Sequence, residues 1–262
     1  MSFEALRFRR AGAALFVLAL LAAPVSAAKR PITETDLFKF VWITDPRISP
    51  DGQQVVFTRV TVNEKKEGYD SALWIVPTSG GEPPRPFTTG PRDSAPRWSP
   101  DGSRIVFARA AEKGGERQPP QLYLIPTRGG EAVALTDIPD GAGGSAWSPD
   151  GKTIAFVNSA QEEELKKWRD DRNKGKEPKA PPVEDEKKDE KKEAEKTGEE
   201  KRKSDVRVIT RAVYRFNGGG YDDPTRVSHI WTVALPAGTE IPEPKQITRG
   251  ELGEGAPVWS PD

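Results

Sequence analysis

Apolar and polar residues alternate in short runs over most of the chain, which is the pattern of half-buried β-strands. The first run of each unit carries a β-branched residue followed two positions later by phenylalanine: Val55 and Phe57, Ile105 and Phe107, Ile154 and Phe156. A second run follows as "LWIVPTSGGE" (73–82) or "LYLIPTRGGE" (122–131), and its glycine pair marks a tight turn. A short third run precedes the fourth, "APRW" (95–98). The pattern therefore predicts four short strands in each unit.

The units are separated by the string Ser-Pro-Asp, which is followed by glycine in the first three copies. Proline presets φ at the second position of a turn, aspartate bonds to nearby backbone, and glycine accepts a positive φ. The serines lie at positions 49, 99, 148 and 260, so the spacings are 50, 49 and 112 residues. A period of this size is typical of repeat folds whose units bury their apolar faces against their neighbours.

Four short antiparallel strands joined by hairpins make one blade of a β-propeller. We therefore predict an all-β fold, an incomplete propeller of three four-stranded blades and the start of a fourth. In this scheme the strand before each Ser-Pro-Asp turn is the fourth of its blade. Tryptophan precedes the turn at Trp98, Trp147 and Trp259, and Ile48 takes its place in the first copy. We expect these rings to cover the gaps between blades, and stacking on a ligand is the alternative.

The period is broken by an insertion in the third blade. From the phenylalanine of the first run to the aromatic residue of the second, the separation is 17, 16 and then 75 residues. About 58 extra residues are therefore inserted between two adjacent strands, where a hairpin loop grows at slowly rising entropic cost. From about residue 161 to 204 the insertion is mostly Lys, Glu and Asp, and we expect disorder or a loose solvated helix there.

The end of the insertion, residues 205–233, is rich in β-formers and aromatic residues. It predicts an extended hairpin that returns to the sheet at Ile230-Trp231. An alternative hypothesis gives four of its side chains a role in binding the carboxylate or carbonyls of a peptide: Arg211, Tyr214, Arg215 and Tyr221.

The amino terminus has the pattern of a secretory signal peptide. Three arginines within residues 7–10 precede an apolar run at 11–23, and small residues follow at 24–28. We assign residues 1–28 to the signal and 29–262 to the propeller domain; a membrane anchor is the alternative, but the run is short for a span. The chain has no cysteine, which fits a bacterial periplasm.

Charge and candidate chemistry narrow the function. The chain has 40 basic and 40 acidic residues, so nucleic acid is a poor partner. The only histidine is His229, there is no Gly-x-Ser-x-Gly elbow, and no glycine-rich phosphate loop follows a strand. We therefore predict no catalytic residue, no cofactor-binding residue and no metal ligand in these residues. The aspartates of the repeated turns, 51, 101 and 150, indicate turn structure.

The blade motif, with its "L…GGE" return, resembles the propeller repeat that Tol-system periplasmic propellers share with the prolyl oligopeptidase family of serine peptidases. The Lys/Glu-rich insertion followed by "DVRVITRAVYRFNGGGYDDPTRVSHIWTV" (205–233) resembles the acylaminoacyl-peptidase and dipeptidyl-peptidase branch of that family. The resemblance covers the chain from about residue 32 to 262.

That resemblance implies a propeller that filters substrates by size over a separate α/β-hydrolase domain, to which the Ser, Asp and His triad belongs. Since the sequence ends inside a copy of the motif, we expect a truncated, inactive fragment of a secreted peptidase acting on short peptides. The alternative is a non-enzymatic periplasmic propeller of the Tol type that binds envelope proteins.

Overall fold

The computed structural model describes residues 30–90, 92–174, 215–216, 220–221, 223, 225–236, 238 and 240–261. The chain divides into two compact units, Met1–Phe40 and Val41–Asp262. The predicted signal peptide lies outside the described residues. No described helix is long and apolar enough to span a bilayer.

The first unit contains a short 3₁₀ helix, Glu34–Lys39. Asp36 accepts hydrogen bonds from the backbone N–H and the hydroxyl of Thr33, at 3.0 and 3.1 Å, at the start of the helix. The Arg30 guanidinium lies 2.6 Å from the same carboxylate, and this contact is the main cause that holds the pKa of Asp36 well below its usual range.

The second unit contains three four-stranded antiparallel sheets, and in each the strands pair in the order of the chain. The strands of the first sheet are β1 (Val41–Ile48), β2 (Gln54–Val62), β3 (Tyr69–Pro77) and β4 (Arg85–Pro86). Each sheet is thus one propeller blade, as predicted.

The second blade has a small hairpin between its second and third strands. Its strands are β5 (Asp93–Trp98), β6 (Arg104–Arg109), β9 (Gln121–Pro126) and β10 (Val133–Ala134). The hairpin consists of β7 (Glu112–Lys113) and β8 (Glu116–Arg117).

The third blade has the long insertion at the same place. Its strands are β11 (Gly143–Trp147), β12 (Thr153–Asn158), β15 (His229–Ala234) and β16 (Lys245–Gln246). The described parts of the insertion are helix α1 (Glu162–Lys174) and a two-stranded hairpin, β13 (Arg215–Phe216) and β14 (Gly220–Tyr221). The insertion therefore lies between two paired strands, β12 and β15, as the spacing predicted.

The register confirms the alignment of the repeats. The phenylalanine of each second strand lies opposite the aromatic residue of the third: Phe57 and Trp74, Phe107 and Tyr123, Phe156 and Trp231. The return of the chain to the sheet at Ile230-Trp231 is confirmed as well, because these residues pair with β12.

The Ser-Pro-Asp-Gly strings form hairpin turns with one shared geometry. In the second copy the Ser99 hydroxyl donates to Asp101 at 2.5 Å and accepts from the backbone N–H of Arg104 at 3.0 Å. The glycine that follows has a positive φ of 69°, which explains the residue type. The same hydroxyl contacts recur at Ser49 and Ser148, so the repeated aspartates belong to the turns.

The structure corrects the predicted boundary between blades. The strand before each turn was predicted to be the fourth of its blade, but β5 pairs with β6, not with β4. The turn therefore joins the first and second strands of one blade. Turn chemistry shows that a turn connects two strands there. In a repeat it does not show whether the strand before the turn is the last of one blade or the first of the next.

The first strand of each blade contains a β-bulge that the sequence analysis missed. The register shifts between Thr44 and Arg47 in β1, and corresponding shifts occur in β5 and β11. The residue four positions before the turn serine has a positive φ in all three copies: Asp45 (49°), Ala95 (53°) and Gly144 (59°). Glycine adopts that conformation readily, aspartate occasionally and alanine rarely, so the three copies share no sequence signal.

The blades pack face to face through two apolar clusters. One cluster joins the first two blades, with Val56 and Leu73 against Ile105 and Phe107. The other joins the second and third, with Leu122 and Leu124 of the second blade and four buried residues of the third: Ile154, Phe156, Trp231 and Val233. Each blade thus buries its apolar faces on its neighbours, as a repeat fold requires.

The tryptophans before the turns link consecutive blades. Each indole N–H donates to a carbonyl on the first strand of the preceding blade: Trp98 to Arg47 (3.0 Å), Trp147 to Arg97 (3.0 Å) and Trp259 to Ala146 (3.1 Å). The packing interpretation of these rings is therefore confirmed. Trp259 extends the pattern to the third blade, which supports the start of a fourth, although no strand is formed within the described residues 247–261.

Candidate functional site

The loops between the second and third strands lie at the same end of all three blades, opposite the Ser-Pro-Asp turns. We call this the loop end. Its loops increase in length from residues 63–68 to 110–120 and then to 159–228. Since propeller scaffolds carry variable loops at the ends of their blades, the loop end of the third blade is the candidate functional site.

The two ends of the insertion are tied together at its base. Gln161 Nε2 donates to the Thr225 hydroxyl at 2.6 Å. The Arg226 guanidinium contacts both carboxylate oxygens of Glu164, at 2.7 and 3.1 Å, and also lies 3.4 Å from Asp140. These carboxylates, Glu164 foremost, raise the pKa of Arg226 above its usual range. The base of the insertion is thus held to the blade by a network of charges.

Helix α1 is docked on the blade, which differs from the loose helix predicted for this stretch. Leu165 is its one buried residue and joins the apolar cluster between the second and third blades. Arg172 contacts Asp137 at 2.6 Å and donates to the carbonyl of Ile241. Ion pairs near the two ends of the helix thus take the place of the missing apolar stripe. The rest of the charged stretch, 175–204, lies outside the described residues.

His229 starts β15 and is held by a carboxylate. Its Nδ1 lies 3.1 Å from Glu254 Oε2, and the backbone N–H of Glu254 donates to the carbonyl of Ser228 at 2.9 Å. The Ser228 hydroxyl lies 2.8 Å from that of Ser159. Within the described residues His229 has no hydrogen bond to a hydroxyl, so the geometry there is a carboxylate–histidine pair without a nucleophile. The absence of catalytic residues stays a prediction.

A groove of about 600 Å³ lies between α1 and the strands β15 and β16. Arginines line it from two sides, Arg169 on the helix and Arg249 after β16, and His229 and Gln246 lie on the sheet side. Val227 adds an apolar surface. The groove therefore combines cationic and amide donors with an apolar wall.

The peptide-binding hypothesis for the end of the insertion is only partly covered by the structure. Arg211 and Tyr214 lie outside the described residues. The backbones of Arg215 and Tyr221 lie opposite each other in the β13–β14 hairpin. This pairing is compatible with the predicted hairpin, and the proposed binding role of the four residues stays a hypothesis.

Glu164, Arg226 and Arg249 were not predicted from the sequence as site residues. The first two form an ion pair although 62 residues separate them along the chain. No periodicity or motif relates such positions, and only the closure of the insertion brings them together. Within the described part of the chain, no group of three or more His, Cys, Asp and Glu residues is placed to hold a metal ion.

The family comparison matches residues 29–177 to the model described as PD40, the TolB beta propeller domain. Among curated proteins, the Uncharacterized peptidase YuxL of Bacillus subtilis (strain 168) is 38% identical over 53 residues. The match covers 20% of this chain and 8% of that protein, so the chain corresponds to a small part of this relative.

Similar solved structures include peptidases and a Tol protein. The acylaminoacyl peptidase of Pyrococcus horikoshii is 18% identical, with a TM-score of 0.48, over 81% of this chain and 26% of that one. The β-propeller domain of the Trilobed protease from Pyrococcus furiosus is 21% identical, with a TM-score of 0.37, over 45% and 34%. A putative TolB from Agrobacterium tumefaciens is 27% identical, with a TM-score of 0.35, over 44% and 38%.

Proposed function

The chain belongs to the PD40 family of TolB-type β-propeller domains, and from that premise we propose that it is the propeller portion of a secreted serine peptidase that hydrolyses short peptides. The observation that carries the proposal is its local similarity, 38% over 53 residues, to a protein named a peptidase. The resemblance of the blade motif and of the insertion to the prolyl oligopeptidase family supports the same assignment.

In this proposal the propeller admits substrates and does not react with them. The nucleophilic serine and its aspartate and histidine belong to an α/β-hydrolase domain outside these 262 residues. In the proposal the propeller lets short peptides reach that domain and excludes folded proteins by size. It also limits the access of bulk water to the acyl-enzyme.

In this proposal the protein functions in the bacterial periplasm or is secreted from the cell. Residues 1–28 act as the signal peptide, and residues 29–262 are the exported domain. The absence of cysteine means that the exported domain needs no disulfide. No cofactor or metal takes part.

The second candidate is a non-enzymatic propeller that binds envelope proteins, and the family description as a TolB propeller favours it. The two candidates differ in one respect that can be measured. A peptidase propeller accompanies hydrolysis of short peptides, whereas a Tol-type propeller accompanies stable complexes with other envelope proteins.

Antibodies against residues 41–174 distinguish the two. Periplasmic extract of the source organism is depleted with these antibodies, and hydrolysis of acylaminoacyl and dipeptidyl reporter substrates is measured before and after. The peptidase proposal predicts that the depleted extract loses hydrolysis of one of these substrates and that the eluate regains it. Unchanged hydrolysis, with envelope proteins in the eluate, would contradict the peptidase proposal and favour the Tol-type function.

A further inference from the structure

The groove between α1 and the strands β15 and β16 has a chemistry that the general role of a filter does not require. Its two arginines come from different elements, Arg169 from the helix and Arg249 from the segment after β16. The backbone brings the second arginine close to β15, because the N–H groups of Ile247 and Thr248 both donate to the carbonyl of Ile230, at 2.8 and 3.3 Å.

The guanidinium of Arg249 is available for a ligand. It makes no ion pair and no side-chain hydrogen bond within the described residues, and its side chain is exposed. Arg169 contacts Glu162 at 3.0 Å, but that carboxylate side chain is 76% exposed. Exposed pairs of this kind contribute little, so a ligand carboxylate can replace Glu162 at low cost.

The other residues that line the groove indicate which chemical group the ligand carries beside its anionic group. Gln246 is half-buried on the edge strand and offers an amide N–H. Val227 and Leu165 contribute apolar surface to the lining of the groove. Such a groove fits an anion that carries an apolar group, and a free phosphate lacks that group. A peptide that ends in an apolar residue has both.

We propose that this groove binds the α-carboxylate of a short peptide whose last residue is apolar, with Arg249 and Arg169 on the carboxylate and Val227 beside the side chain. The inference rests on the proposed function in that it takes peptides as the ligands. Peptide binding can be measured without turnover. A failure of this binding inference is therefore distinguishable from a failure of the peptidase assignment.

The test is isothermal titration calorimetry of the 262-residue chain with N-acetyl-Gly-Gly-Leu and with the same peptide as its carboxyl-terminal amide. The two ligands differ only in the terminal charge. We expect the acid to bind about tenfold more tightly than the amide, the lower end of what a charge-assisted hydrogen bond contributes. N-acetyl-Gly-Gly-Gly is expected to bind more weakly than the leucine peptide because it leaves the apolar wall uncovered.

Matched variants locate the site. Arg249→Gln is expected to lower the affinity for the acid about tenfold and to leave that for the amide unchanged, and Arg249→Lys is expected to retain part of the affinity. The control is Arg128→Gln, an exposed arginine in the turn that follows β9, which is expected to bind as the unmodified chain does. Thermal unfolding of each variant verifies that it is folded.

Three results would overturn the proposal. They are equal affinity for the acid and the amide, no measurable binding of the acid to a folded chain, and inorganic phosphate that binds as tightly as the peptide and displaces it. The last result would define a general anion site.

Discussion

The ion pair between Asp93 and Arg109 offers the sharpest test of how the second blade is stabilised. Asp93 is completely buried at the start of β5, and its two oxygens accept hydrogen bonds from Arg109 Nε and Nη2 at 2.7 and 2.8 Å. The Asp93→Asn substitution keeps the shape and removes the charge. The guanidinium then faces a neutral amide in place of a carboxylate.

The expected loss follows from the burial of the two partners. Breaking a buried pair costs about 3–5 kcal/mol when the remaining charge is stranded. Arg109 keeps 24% of its side chain exposed and lies about 5 Å above the rings of Phe107 and Tyr123, so it remains partly solvated and supported. We therefore expect Asp93→Asn to lower the free energy of unfolding by about 2–3 kcal/mol.

Arg109→Met removes the other partner of the ion pair. It is expected to lower the free energy of unfolding by more, about 3–5 kcal/mol, because it leaves a fully buried carboxylate without a cation. Urea unfolding at pH 7, followed by tryptophan fluorescence and far-ultraviolet circular dichroism, measures both losses. The control is Glu162→Gln, which breaks an exposed pair and is expected to change stability by less than about 1 kcal/mol. If Asp93→Asn costs no more than this control, or more than Arg109→Met, the reasoning from burial is wrong.

Three further predictions concern the turns and the contacts between blades. Trp147→Phe removes the indole hydrogen bond to the preceding blade and is expected to cost about 1 kcal/mol in urea unfolding; an unchanged midpoint would contradict an energetic role for that bond. Hydrogen bonds from Ser103 and Ser99 lower the pKa of Asp101 to about 2. Because the ordinary value is about 3.9, this stabilisation is complete above that pH and is lost as the pH falls to 2. As the pH falls over that range, the free energy of unfolding is therefore expected to decrease less in Asp101→Asn than in the unmodified chain. Parallel decreases in the two proteins would refute the role of Asp101. At Gly90 an added Cβ would lie 2.5 Å from the buried carboxylate of Asp93, so Gly90→Ala is expected to cost about 1–3 kcal/mol. The control is Gly143→Ala, whose Cβ meets no atom within 4 Å; equal losses in the two variants would contradict the steric explanation.

The second and third strands of each blade and their pairing could be predicted because the signal is local and repeated. Alternation places Phe57, Phe107 and Phe156 on equivalent strands, and the spacing to the next aromatic residue identifies the cross-strand partner. Since a slip by one residue would turn each side chain to the other face of the sheet, the pattern specifies the register as well. The location of the insertion follows from the same count.

The boundary between blades could not be read in this way. A turn motif shows that two consecutive strands are connected, but it does not show which of them is the first strand of a blade. The repeat period is the same whichever strand is counted as the first. The bulges at Asp45 and Ala95 were hidden for a different reason, since alanine rarely adopts a positive φ and aspartate adopts it in only a minority of cases. Tertiary packing imposes that conformation, and local propensity does not.

The candidate site depends on contacts between residues that are distant in the sequence. Glu164 and Arg226 meet only because the insertion starts and ends on adjacent strands. Helix α1 could not be predicted as a docked helix, because charge pairs such as Arg172 with Asp137 anchor it and only Leu165 is buried. Hydrophobic periodicity, the main signal of a docked helix, is therefore nearly absent.

We propose that these blades are the propeller of a serine peptidase. Labelling of the native polypeptide with a fluorophosphonate probe tests this proposal, because the probe reacts only with an activated serine. The probe is added to periplasmic extract, the polypeptide is captured with antibodies against residues 41–174, and the labelled peptide is identified by mass spectrometry. The proposal predicts one labelled serine, located outside residues 1–262. A captured native polypeptide that carries no label, while other serine hydrolases in the same extract are labelled, would contradict it.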